Sequence, residues 1–118
     1  MVNILVDEAY AFDYLAILQL KVDKGYLKQE DIDSDIQFVK TQVGPTLYHE
    51  VLNSSAYKQL CEANLKTFAA VDAAKEDKIL ASEADKCNYG RSIAKRLLQE
   101  QFFESKLRET KIGYEKLK

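Results

Sequence analysis

The stretch Asn3–Val22, NILVDEAYAFDYLAILQLKV, decides the fold. At about 100° per residue around a helix axis, Phe12, Leu15, Ala16, Ile17, Leu18, Leu20 and Val22 point in almost every direction. A helix that is apolar on most sides has to be enclosed by others. This segment is therefore expected to be a buried central helix. Met1–Val6 has strand-forming composition, but no second run of that kind exists to pair with it. It reads as an extended lead-in. Asn3 or Asp7 is the expected cap, and Gly25 the expected left-handed stop.

One residue breaks the pattern. The helical neighbours of Asp13 at three and four residues are Ala9, Tyr10, Ala16 and Ile17, a largely apolar set. A buried carboxylate must find a partner or take up a proton. The structural reading pairs Asp13 with Arg91 or Lys95 of the last helix. The functional reading places it in a pocket, with Arg91 or Lys95 binding an anion and His49 as a further polar group.

Outward from that helix, Ile32, Ile36, Val39 and Val43 fall at spacings of four, three and four, with acidic residues at the front end where the helix dipole favours them. Gly44-Pro45 ends this second helix, and Pro45 opens a short third, where its missing N–H costs nothing. Asn53-Ser54-Ser55 marks a break with a new cap. From there Tyr57, Leu60, Cys61, Asn64, Leu65 and Phe68 repeat at helical spacing, extended by Ala69, Ala70, Ala73 and Ala74. Lys75–Ala81 is the expected loop. Ser82, with Asp85 three residues on, resembles a capping box. It opens a long last helix through Cys87, Ile93, Ala94, Leu97, Leu98, Phe102, Phe103 and Leu107, ending near Gly113. The expectation is an all-α fold: a compact bundle of four to five antiparallel helices, with a buried N-terminal helix, a long C-terminal helix and one domain over residues 1–118.

Composition agrees with that class. The chain has 118 residues, enough for one self-stabilising core, with 47% hydrophobic and 31% charged residues. One Pro and four Gly leave little turn chemistry for an all-β fold. A net charge of −2 is not the footprint of a nucleic-acid wrapper. The basic residues of the last helix scatter around it among glutamates, which describes a solvated exterior. Cys61 and Cys87 stand alone, which argues against a zinc site or disulfide framework. Asp7, Glu8 and Asp13 interrupt the only candidate for a signal peptide or membrane span, so a cytoplasmic protein is expected.

The usual motifs fail on their own terms. His49-Glu50 begins HExxN, not HExxH. Asp31–Asp35 resembles the start of a calcium loop, but Ile36 stands where glycine is needed and Gln42 where glutamate is needed. No metal, cofactor or catalytic residue is expected. Of seven Tyr and five Phe, the hydroxyl-bearing Tyr10, Tyr14, Tyr48, Tyr57 and Tyr89 cannot all sit deep in so small a core: either several rim it, or a Tyr-rich patch, with Phe102-Phe103, faces a partner. The sequence therefore points to a non-enzymatic protein–protein interaction module, a homo-oligomer or an adaptor-like or inhibitor-like domain. Its expected interface holds Tyr89, Phe102 and Phe103. The alternative is a small-ligand or enzymatic pocket organised around Asp13.

Overall fold

The computed structural model describes residues 2 and 4–103. These form five helices: α1 (Glu8–Asp23), α2 (Gln29–Val43), α3 (Pro45–Leu52), α4 (Ser55–Lys75) and α5 (Ala81–Phe102). There is no strand among the described residues. Short connections join the helices, and α4 and α5 form the most extensive pair. The all-α bundle expected from the sequence is the fold.

Local chemistry sets the boundaries. At the end of α1, the Tyr26 N–H donates to the Lys21 carbonyl at 2.8 Å and the Gly25 N–H to the Val22 carbonyl at 3.0 Å. That is a Schellman closure, and Gly25 supplies its left-handed residue with φ +83°. The Asp31 carboxylate accepts from the Lys28 N–H at 2.8 Å, one half of a capping box on α2. Gly44, at φ +100°, turns the chain between α2 and Pro45. The Ser54 hydroxyl accepts from the Tyr57 N–H at 3.1 Å and donates to the Val51 carbonyl at 2.6 Å, which fixes α3 to α4.

The core is one cluster with members from every helix: Ala9, Phe12, Leu15, Leu18, Ile32, Val39, Tyr48, Val51, Ala56, Leu60 and Leu98. Phe12 is its hub. Its ring stacks on Tyr48 at 5.8 Å and on Phe103 at 6.2 Å, and meets Tyr57 edge-on at 6.1 Å.

Two expectations need correction. α1 is not enclosed all round, because Tyr10 and Tyr14 face solvent. Only the face carrying Ala9, Phe12, Asp13, Leu15, Ala16 and Leu18 is buried. The last helix, expected to run on to Gly113, ends at Phe102, where Phe103 takes an extended conformation with φ −139° and ψ 158°. Adjacent residues on a helix point about 100° apart, so a continuing helix would not turn both rings inward. Leaving the helix brings Phe103 over Phe12, while Phe102 packs against the same core. Leu107 and Gly113 lie outside the described residues.

The start of α5 also departs from the expected cap. Leu80, not Ser82, is the N-cap, and its side chain makes no cap bond. Just before it, α4 closes with a Schellman pair, the Lys78 N–H to the Ala73 carbonyl at 2.8 Å and the Asp77 N–H to the Ala74 carbonyl at 3.1 Å. This forces Asp77 to φ +59°, a left-handed conformation that glycine adopts at lower cost. Asp77→Gly and Leu80→Ser should each raise unfolding stability by about 1 kcal/mol, readable as a higher urea midpoint with an unchanged slope.

Candidate functional site

The polar cluster of the interior is built on Asp13. The residue is 3% exposed and sits on the buried face of α1. Its Oδ1 accepts from Asn64 Nδ2 of α4 at 2.9 Å. Its Oδ2 accepts from Arg91 Nη2 of α5 at 3.2 Å and lies 3.7 Å from Lys95 Nζ. Three helices thus meet on one carboxylate. No buried side-chain N or O among the described residues lacks a hydrogen-bond partner, so the desolvation cost of burying this charge is met by direct bonds.

Arg91, Lys95 and Gln99 stand four residues apart and form one edge of α5. They run antiparallel along α1. Arg91 meets Asp13, and Lys95 meets both Asp13 and the face of Tyr10, 4.0 Å from the ring centroid. Buried Gln99 accepts from the Ala9 N–H at 2.7 Å and donates to Glu8 Oε1 at 3.3 Å. Ala9 lies in the first turn of α1, where backbone N–H groups have no partner inside the helix. Gln99 therefore supplies from another helix part of what a capping side chain would supply locally.

The other expected positions fall elsewhere. His49 is on α3, exposed, with its ring edge-on to Tyr48 at 5.5 Å. Among the described residues, no hydrogen bond or ion pair joins it to Asp13. Tyr89 is 59% exposed on α5. Phe102 and Phe103 are half-buried against the core. The sequence does not single out Asn64 or Gln99 as partners of this cluster. Asn64 carried a signal, a polar residue inside the apolar spacing of α4. Gln99 carried none, being one polar residue among many on α5.

A second pair of polar side chains, Tyr57 and Cys61, stands half-buried one turn apart on α4. The Tyr57 hydroxyl and the Cys61 thiol influence one another's proton affinity. Burial pushes the Tyr57 hydroxyl well above the usual tyrosine range, and Cys61 and the Asp13 charge add to the shift. Burial also pushes the Cys61 thiol up, against an opposing pull from Tyr57. A thiol held protonated in this way is a poor nucleophile. Tyr48 is raised by burial as well. No group of three or more His, Cys, Asp or Glu residues that could hold a metal ion occurs among the described residues.

Beside the Asp13 cluster lies a cleft of about 420 Å³ bordered by α1, α4 and α5. Arg91, Lys75, Asn64, Asn88, Thr67 and Asp72 supply its polar lining, and Ile17 and Phe68 part of its apolar wall. No family model matches the chain, and neither the curated proteins nor the solved structures contain a match to it. The chemistry of the site rests on its geometry.

Two outcomes follow. Asp13→Asn should lower stability by about 3 kcal/mol, the lower part of the range for breaking a buried pair, because Arg91 keeps some access to water; chemical denaturation gives the value. The pH dependence has a definite sign. Cys61, Tyr48 and Tyr57 are raised in the folded state, so that state holds protons which the unfolded chain releases near the ordinary values of 9.0 and 10.0. Stability is fully present below pH 9 and falls as pH rises beyond 10. Urea midpoints for the wild type and for Tyr57→Phe/Cys61→Ala should converge at high pH, the variant showing the shallower decline.

Proposed function

We propose that this chain is a non-enzymatic protein–protein interaction module, acting through a helical surface. One observation carries the reading: the interior polar groups are spent on one another, while large apolar side chains stand in solvent. Asp13 has both oxygens bonded and is closed off from water, so it offers no carboxylate to a substrate. Tyr89 and Leu97 on α5, by contrast, are exposed at 59% and 46%. Tyrosine and aliphatic side chains set among charged residues are the composition of an interface core with a polar rim. Among the described residues, no helix is long and apolar enough to cross a membrane.

A second reading has its own support. The cleft beside Arg91 combines an apolar wall with a guanidinium, the Lys75 ammonium and two asparagine amides against one carboxylate, Asp72, a lining with two cations to one anion that would take a small carboxylate or phosphate ligand. Under this reading Arg91 holds the ligand and Asp13 orients Arg91. Thermal-shift titration with small organic anions separates the two. A saturable rise in midpoint that Arg91→Met removes would favour the ligand; a flat response would leave the interaction surface as the reading.

The interaction surface has a direct test. A tagged full-length chain is used as bait, and a Leu97→Asp variant serves as its control. The wild type should retain a protein, a second copy of the chain or another, that the variant loses while its circular dichroism stays unchanged. Retention of the same proteins by both would overturn the assignment of this surface.

A further inference from the structure

Gly90 stands in the middle of α5, where glycine weakens a helix relative to alanine. Glycine at such a place usually serves a positive φ or a close approach. Gly90 serves neither within this chain. It is absent from the positive-φ glycines, it is exposed, and a Cβ added there would meet nothing within 4 Å. It lines a groove of about 300 Å³ between α4 and α5, together with Ile93, Ala94 and Leu97 of α5 and Ala63 of α4. The groove is open to water; its α5 wall is apolar, its α4 wall carries Gln59, Glu62 and Lys66 beside Ala63, and a hollow stands where the missing side chain would be.

Charges on the same face of α5 indicate what fills it. Lys86 and Glu100 are both exposed, each seven residues from Ile93 on opposite sides. Seven residues are close to two helical turns, so both share the face of Ile93. One end of the stripe is positive and the other negative. A two-fold axis near Ile93 would set α5 antiparallel to α5 of a second copy. Lys86 then meets Glu100 of that copy at both ends, and Gly90 of each chain meets Leu97 of the other. This is the self-complementarity that an isologous interface requires. Arg96, 3.9 Å from Glu100, is an exposed neighbour on the same helix and holds Glu100 only weakly.

Resting on the interaction reading, we infer that α5 is a homodimer interface: two copies pack α5 antiparallel, with Leu97 of each seated over Gly90 of the other and Lys86–Glu100 pairs closing both ends. The stripe from Lys86 to Glu100 is about 21 Å long at 1.5 Å per residue. A single helix pair of that length makes a small contact, and small contacts belong to the weak, transient class. The dissociation constant is accordingly expected on the order of tens of micromolar.

Sedimentation equilibrium of the full chain across that range tests the proposal. Lys86→Glu and Glu100→Lys should each weaken the dimer by about tenfold or more, because each sets like charges at both ends. The double variant should restore association close to the wild-type value. Gly90→Gln should abolish the dimer and raise the thermal midpoint of the dilute monomer, since glutamine is the better helix former and nothing in the monomer opposes it. A wild type that stays monomeric at millimolar concentration would overturn the homodimer, as would a dimer indifferent to the charge exchange. A photo-crosslinking residue at position 97 then separates this failure from that of the broader reading. In native lysate a crosslink to the same chain, between copies, supports the proposal. One to a different protein, or within one chain to residues 104–118, overturns the homodimer; the former leaves the interaction reading standing. The absence of any crosslink overturns both.

Discussion

The carboxylate of Asp13 is the constraint the bundle depends on. Enclosing a charge is acceptable only where donors surround it, and here the donors come from two other helices. Asn64 must stand at the level of Asp13 on α4, and Arg91 and Lys95 at the same level on α5. Apolar packing alone would tolerate a slide of one helix along another. A slide by one turn, about 5.4 Å, would break every one of these bonds. The Gln99 contacts with Ala9 and Glu8 lie along the same edge and hold the same register two turns further along α5. Net of desolvation, such a cluster adds modest stability over a well-packed apolar one, and its larger effect is on which arrangement forms.

Around this pin the aromatic core settles the ends of the chain. Phe12 lies one residue before Asp13 and collects Tyr48, Tyr57 and Phe103. The ring that ends α5 and the carboxylate that aligns it therefore act on neighbouring residues of α1. Packing of the C-terminal end of α5 is coupled to the register at Asp13 through one short segment.

Much of this was legible in the sequence, and the parts that were not share a cause. Helix positions followed from periodicity and from Gly25, Gly44-Pro45 and Ser54, whose effects are local. Asp13 stood out because its neighbours at three and four residues are apolar, and the basic composition of the last helix named Arg91 and Lys95 as its potential partners. Asn64 was read as one member of a helical stripe, because which face of α4 meets α1 is a tertiary fact. Gln99 caps a helix 91 residues from its Glu8 partner in the chain, beyond any local signal. Apolar spacing in the sequence continues to Leu107 and so extends the helix, whereas Phe103 leaves it to stack on Phe12. His49 drew notice as the only histidine, and its exposed position on α3 lies apart from the Asp13 cluster.

The contrast between interior and surface shapes the functional proposal. Inside, polar groups are bonded to one another; outside, α5 carries exposed Tyr89 and Leu97 beside a glycine that the monomer does not need. One helix thus has two edges with different work, Arg91, Lys95 and Gln99 turned to α1, and Lys86, Ile93, Leu97 and Glu100 turned away from it. The central claim is that the Asp13 cluster is a structural pin between α1 and α5. A double-mutant cycle of Asp13→Asn with Arg91→Met, read by urea unfolding, tests it most directly. The pin predicts a coupling of about 1.5–3 kcal/mol, the range for hydrogen bonds to charged groups. A coupling below about 0.5 kcal/mol, the limit for independent sites, would contradict it.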